Sequence, residues 1–317
     1  MILCFDIGGS AIKSAHAYAP DDVRPHGRVP TPGTDFDAFT QVLRDAIAAA
    51  PVPPQRIAIS IAGVLDPETG AARVANIPCL NGRKLHGELQ AELGLPVDLA
   101  NDADCFALAE ATVGAGRGHE VVMGVILGTG IGGGVVVRGQ LLNRAGFSGE
   151  WGHGPVAQRV LGQPEITLPA FPCGCGIAGC LDAVCGARGL EMLHRHLHPG
   201  AAGDSPAIIA GWQAGEAQSA RTIAIWIELL AAPLAMIQNL LGAGIMPVGG
   251  GLSKTTALVA ALDQAVRPLI LRRIDRPLLV PAECRIEPGL IGAAVLGLAN
   301  AAAKKPGAGI DPASREN

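Results

Sequence analysis

The sequence predicts an α/β protein built as two domains, and three observations carry that expectation. The chain has 317 residues, where one domain commonly takes roughly 100–200. Apolar residues make up 49%, enough for sizeable cores. Its 43 glycines and 24 prolines are dispersed among apolar segments, a pattern of many tight turns in a folded chain and not of disorder. Charge narrows the function classes. Only 16% of residues are charged and the net charge is −4, so no basic surplus exists to neutralise a phosphate backbone. Aromatics, at 3%, are too few for a base-stacking platform. Nucleic acid is therefore not an expected partner.

The start of the chain reads as a short buried strand, Ile2 to Phe5, running straight into Asp6. It has no basic start and no cleavage site, so no signal peptide is expected. Thr34 can cap a helix with Asp37 three residues on, and Phe36, Phe39, Leu43 and Ile47 give that helix one apolar face. Pro51, Pro53 and Pro54 end it. Arg56 to Ile61 reads as a strand delivering Ala62 and Gly63, Lys84 to Leu93 as a helix stopped by Gly94, and Val97 to Ala100 as a strand. Ala103 to Val113 is a helix with Asn101 or Asp102 at its cap. The glycine-rich stretch 114–118 is the expected hinge. Val121 to Leu127 and Val135 to Arg138 read as strands flanking a long glycine hairpin. Helices are expected near 187–197, 205–214, 219–241 and 254–266, the third kinked or broken by Pro233. A last helix covers Ile291 to Ala302, and 304–317 is a polar tail. The longest apolar run, Leu229 to Ile237, is far short of the roughly 18 residues a spanning helix needs. A cytoplasmic protein away from membranes is expected. The assigned domains are 1–116 with about 290–303, and 117–289. Each half contains a strand, a glycine turn, then strand and helix.

Five motifs carry chemistry. In Asp6-Ile7-Gly8-Gly9-Ser10 a carboxylate ends a strand, and two glycines let amides approach a phosphate while Ser10 adds a hydroxyl. An ordinary tight turn gives the same pattern. In Gly128-Thr129-Gly130-Ile131-Gly132-Gly133-Gly134, five of seven residues are glycine. A simple hairpin loop needs about two residues, and the excess suits amides wrapping an anion. Neither motif is a P-loop, since no Gly-Lys-Ser/Thr follows. Gly249-Gly250-Gly251 after an apolar strand permits a flat ring to lie on bare backbone. Asp102, at a strand end and a helix start, is placed either to take a proton from a hydroxyl or simply to cap the helix. Last, Cys173, Cys175 and Cys180 put three thiols within eight residues, which suits a closed, structural tetrahedral metal. The scattered Cys4, Cys79, Cys105 and Cys284 show no such spacing. His153 and Cys185 both qualify as fourth ligand, and His153 beside Glu150 reads equally as a hydrogen-bonded core histidine.

In order, Asp-x-Gly-Gly-Ser, Ala-Gly after a strand, Asn-Asp-Ala-Asp, Leu-Gly-Thr-Gly-x-Gly-Gly-Gly, Gly-Glu-Trp-Gly-His, Cys-x-Cys-Gly-x-x-Gly-Cys-x-Asp and Gly-Gly-Gly-Leu-Ser closely resemble the ROK family (repressor, open reading frame, kinase), and within it bacterial N-acetylglucosamine kinases. The resemblance spans roughly residues 1–300. It implies an actin-like, ribonuclease-H-like ATPase fold, with two α/β domains around a cleft. It implies ATP, with magnesium, on Asp6, Gly8, Gly9 and Ser10, on Gly128, Thr129, Gly130, Gly132 and Gly133, and on Gly249, Gly250 and Gly251. It implies Asp102 as base, a hexose near Gly63, Asn76, Asn101, Asp102, Glu150, His153 and Asp182, and structural zinc on His153, Cys173, Cys175 and Cys180. It also implies a homodimer. Three departures stand out: Ser10 for a usual Thr, Ala11 for a common Lys, and Asp182 for a usual Glu that reaches the sugar's anomeric end.

Fructokinases, glucokinases and N-acetylmannosamine kinases of the family share nearly every motif, and Cys79-Leu80-Asn81-Gly82 has a fructokinase flavour. The start of the chain and the segment from Asp102 to Ala111 favour N-acetylglucosamine. A sugar-sensing repressor would need a helix-turn-helix ahead of the first turn, and five residues precede Asp6. A non-catalytic sugar-binding module would not need Asp102 together with both phosphate turns.

Overall fold

Two five-stranded mixed sheets with one shared strand order organise the computed structural model, which describes residues 1–74, 76–284 and 287–303. In the first sheet β1 (Ile2–Ile7), β2 (Ala11–Ala19) and β3 (Asp22–Pro30) form an antiparallel meander. Helix α1 (Phe36–Ala48) leads to β4 (Ile57–Ile61). A small hairpin of β5 (Val64–Leu65) and β6 (Ala72–Arg73), then α2 (Leu85–Leu93), leads to β7 (Val97–Asn101). The order is β3-β2-β1-β4-β7, with β1, β4 and β7 parallel. Helix α3 (Asp102–Val113) then crosses to the second sheet.

There β8 (Val121–Leu127), β9 (Ile131–Val137) and β10 (Gln140–Leu141) repeat the meander. A long excursion follows, with the hairpin β11 (Val160–Leu161) and β12 (Ile166–Thr167) and the helices α4 (Leu181–Cys185), α5 (Ala187–Leu197), α6 (Ser205–Gln213) and α7 (Ala217–Leu241). Then β13 (Met246–Gly249) pairs parallel with β8, α8 (Thr256–Val266) crosses over, and β14 (Leu279–Pro281) pairs parallel with β13. The order β10-β9-β8-β13-β14 duplicates that of the first sheet. Helix α9 (Pro288–Ala303) returns to β1 and β4.

Three apolar cores hold these layers together. Phe5, Ile59, Phe39, Leu43 and Leu89 join the first sheet to α1 and α2. Cys4, Ala58, Leu108, Val122 and Ala293 form a central core in which α3 and α9 lie between the sheets. Val125, Leu193, Trp226, Leu230 and Leu262 bury the far face of the second sheet under α5, α7 and α8. By length and composition α7 is apolar enough to cross a membrane. Its Trp226, Leu229, Leu230 and Leu234 are instead fully buried in the third core.

Several local expectations change. The cap of α1 is Asp35, whose carboxylate accepts from the Asp37 and Ala38 amides, and not Thr34. The nearer carboxylate reaches two of the orphan amides of the first turn. Asn101, not Asp102, caps α3, accepting from Ala103 N at 2.8 Å. Helix α7 runs unbroken through Pro233. The second strand of the glycine hairpin begins at Ile131, so Gly132, Gly133 and Gly134 are paired strand residues opposite Ile126, Val125 and Gly124. The expected tail, 304–317, lies outside the described residues.

Helix α3 fits between its neighbours only where side chains are missing. A methyl on Gly124 would sit 2.8 Å from Ala107 Cβ, one on Gly134 2.8 Å from Ala103 O, and one on Gly292 of α9 would overlap the Cys105 carbonyl. Gly292→Ala should destabilise the fold by about 1–3 kcal/mol through overpacking, read as a lower thermal midpoint. Gly87→Ala, with nothing within 4 Å of the new methyl on exposed α2, should gain about 0.5–1 kcal/mol.

Candidate active site

Strand register gathers the functional candidates on one edge. Ile7 pairs with Ile61, and Ile61 with Asn101. Asp6, Gly63 and Asp102 therefore emerge together at the carboxyl ends of β1, β4 and β7, where open α/β sheets bind ligands. In the second sheet Ile126 pairs with Gly249, which aligns Gly128 with Gly249, Gly250 and Gly251 in the same way. The two turns are counterparts. Gly8 N donates to Ala11 O at 3.0 Å, and Gly128 N donates to Gly130 O at 2.9 Å. Gly250, at φ 93°, lies against the Leu127 carbonyl and the Gly128 amide, so the second turn and the triple glycine form one surface. Gly251 leaves open space where a side chain would stand.

Around the first turn, Asn76 rests on Gly9, since a methyl there would lie 2.8 Å from Asn76 Cβ. Ser10 is exposed. Asp6 accepts from Ser60 Oγ at 3.0 Å, and Lys13 Nζ stands 3.5 Å from its other oxygen and 2.8 Å from Glu287. Lys13 faces Asp6 directly in the β1–β2 pair. It returns to this turn the positive charge that Ala11 lacks. Sequence reading passed over it, although its alternation with Asp6 across an antiparallel hairpin was available.

Asn101 holds the second side of the cleft: its amide donates to Gly63 O at 2.9 Å while its oxygen caps α3. Asp102 Oδ1 also accepts from Ala103 N, at 3.0 Å, so the two side chains share the amide at the start of α3 and Asp102 stands on its exposed side. It is accessible to solvent yet crowded by protein on its inner side. Desolvation by those neighbours pushes its carboxyl up to about 6, opposed by the Ala103 amide and reinforced by the charges of Asp6 and Glu150. Asp104, one turn edge deeper and 1% exposed, was not singled out from sequence. Neither of its oxygens has a hydrogen-bond partner among the described residues. Burial, then Glu150 and Asp102, push it up to about 7.

The cysteine knuckle borders the same cleft. The ligand atoms of His153, Cys173, Cys175 and Cys180 all lie within 4.8 Å of one another. The Cys175 and Cys180 sulfurs are 3.6 Å apart, and Cys173 Sγ is 3.7 Å from His153 Nδ1. Tetrahedral zinc with Zn–S of about 2.3 Å needs edges of about 3.8 Å, so the donor set fits that ion. The Ile177 amide draws the Cys175 thiol down to about 7, toward the thiolate a metal takes, while burial holds Cys173 up at about 12. Cys185 is fully buried in the apolar core and belongs to no such cluster among the described residues. His153 faces two ways: Nδ1 toward the thiols, and Nε2 3.7 Å from Glu150 Oε2. Burial raises the Glu150 carboxyl above its ordinary value, against the pull of His153.

Asp182 does not point at open cleft. Its Oδ1 accepts from Ile131 N at 2.7 Å and its Oδ2 lies 3.6 Å from Cys173 Sγ. Hollows of about 470 Å³ along α8 and about 660 Å³ between α5, α6 and α7 lie elsewhere, and neither is lined by Asp102 or by a glycine turn. The converging donors, not cavity size, mark the site.

The sequence profile of the ROK family matches residues 2–300. An N-acetyl-D-glucosamine kinase of Salmonella paratyphi C (strain RKS4594) is 33% identical over 301 residues, covering 93% of this chain and 98% of that protein. The ROK hexokinase of Thermus thermophilus superposes with a TM-score of 0.81 at 29% identity, over 95% of this chain and 99% of its own. A ROK family glucokinase from Streptomyces griseus, in complex with glucose and AMPPNP, gives a TM-score of 0.70 at 25% identity, over 94% and 99%.

The unpartnered Asp104 makes a prediction with a definite sign. Its folded pKa lies above the unfolded value of about 3.9, so the folded state binds more protons and loses stability as pH rises from about 4 to about 7. Asp104→Asn removes that titration. The thermal midpoint of the variant relative to the parent should climb across this window and level off above it. A flat difference would show that Asp104 is stabilised by a partner.

Proposed function

The chain belongs to the ROK family, and from that premise we propose that it transfers the γ-phosphoryl group of ATP to the 6-hydroxyl of an amino-sugar hexose, N-acetylglucosamine first, to give N-acetylglucosamine 6-phosphate and ADP. The observation that carries this reading is Asp102, a raised carboxylate at the end of β7 that feels the charges of Asp6, beside the first glycine turn, and of Glu150, beside His153. The kinase 33% identical over 93% of the chain supports the choice of sugar. Glucose is the second reading, favoured by the glucokinase that binds it.

In this reading Asp102 takes the proton of the sugar hydroxyl as that oxygen forms a bond to the γ-phosphorus, and ADP departs with the electron pair of the breaking P–O bond. ATP arrives as its magnesium complex. Amides of Gly8, Gly9 and Ser10 and of Gly128, Thr129 and Gly130 stabilise the phosphate oxygens, which is where most phosphoryl-transfer catalysis lies, while Gly132 and Gly133 hold the turn from the strand behind it. Asp6 closes the first turn, and Gly249, Gly250 and Gly251 support the adenosine. Glu150 and His153 orient the sugar, Gly63, Asn76 and Asn101 shape its pocket, and Asp182 borders it from the knuckle. Zinc on His153, Cys173, Cys175 and Cys180 supplies a rigid cross-link. The working unit is read as a cytoplasmic homodimer. Leu142, Phe147 and Leu240, exposed and lining one apolar hollow of about 320 Å³, support a self-association face.

Asp102→Asn should lower kcat by roughly 10²–10⁴-fold, with sugar affinity by calorimetry nearly unchanged; near-normal turnover removes Asp102 from the role. Because the base acts deprotonated, kcat/KM of the parent should rise with pH through about 6 and plateau above it. Cys175→Ser should release zinc, measured by metal analysis, and lower the thermal midpoint. A protein that never holds zinc and loses no stability would contradict the structural-metal reading.

A further inference from the structure

The second glycine turn is held from outside by three ties. Ala187 N donates to Gly128 O at 2.8 Å, Trp151 Nε1 donates to Gly132 O at 2.8 Å, and Asp182 Oδ1 accepts from Ile131 N at 2.7 Å. The last is distinctive because a charged side chain reaches across 51 residues to a main-chain amide. A methyl on Gly130 would overlap the same carboxylate oxygen, so the turn backbone lies flat on Asp182. The aspartate is itself fixed from two sides. It follows Cys180 by two residues, and its own amide donates to Gly152 O at 2.9 Å, next to His153. Its other oxygen rests 3.6 Å from Cys173 Sγ.

We propose that Asp182 is a positioning residue that couples the cysteine–histidine metal knuckle to the nucleotide-phosphate turn, so that metal occupancy sets nucleotide affinity. The proposal rests on the phosphotransfer reading for the identity of the nucleotide. The short side chain matters. A carboxylate engaged by Ile131 N and packed on Gly130 is not free to serve a sugar hydroxyl with the same oxygen. A charge-assisted bond to the main chain holds the amides of the turn in place before nucleotide arrives. Loss of the metal frees Cys173 and Cys180, and with them the anchor of Asp182.

The test uses the zinc-loaded protein, with AMPPNP as the nucleotide probe and hydrogen exchange at the Ile131 amide as a readout independent of activity. Asp182→Ala should speed Ile131 exchange and weaken AMPPNP by roughly ten-fold, with zinc content and N-acetylglucosamine affinity unchanged. Asp182→Asn, which keeps an acceptor oxygen, should restore slow exchange and most of the affinity. Zinc chelation should speed Ile131 exchange in the parent but add little in Asp182→Ala, the signature of one shared coupling. Unchanged exchange and AMPPNP affinity in Asp182→Ala, or a loss confined to the sugar, would overturn the proposal. A parent protein that binds no AMPPNP would instead strike the phosphotransfer reading, while Ile131 exchange would still judge the tie.

Discussion

Everything at the cleft depends on how closely α3 lies against the second sheet. That helix begins with Asp102, so its seat fixes this carboxylate relative to the turn at Gly128. The seat exists because Gly124 and Gly134 present bare backbone to Ala107 and Ala103, and because Gly292 of α9 admits Cys105 from the other side. Close backbone packing of this kind transmits small displacements. A proton acceptor must stand within hydrogen-bond reach of its donor, so in the proposed reaction a shift of the helix by a methyl's width would take Asp102 out of reach without touching any polar residue.

The duplicated sheet order explains why the cleft has two similar walls. Each half sends a first strand into a glycine turn, then returns by an antiparallel strand. Parallel neighbours then align further strand ends with that turn. The halves differ in what they add. The first contributes the carboxylates Asp6 and Asp102. The second contributes the cysteine–histidine knuckle, tied to the turn through Asp182 and to Glu150 through His153. A chain with few aromatic residues thus builds its site from main-chain amides and a small number of charged groups, held by glycine contacts and bordered by a cysteine–histidine cluster.

Much of this was legible in the sequence because the turns, the Asn101-Asp102 pair and the cysteine spacing are local. The long helices were legible as segments, although Pro233 was expected to kink or break α7 and the helix runs through it. Three features were not. Gly132, Gly133 and Gly134 read as loop, because glycine marks both a free turn and a strand that must let another group come close; only the packing of the Ala103 and Gly149 backbones and of the Trp151 indole distinguishes them. Thr34 and Asp35 both satisfy a capping pattern, and geometry chose Asp35. The burial of Asp104 beside the charge of Glu150, and the tie of Asp182 to Ile131, depend on residues distant in sequence, which no local pattern reveals.

The most direct measurement is ATP-dependent turnover across N-acetylglucosamine, N-acetylmannosamine, glucose and fructose, with the position of the new phosphate read by phosphorus NMR. The account predicts the highest kcat/KM with N-acetylglucosamine and a phosphate on its 6-oxygen. ADP release that is independent of any hexose, or phosphate found on another oxygen, would contradict it.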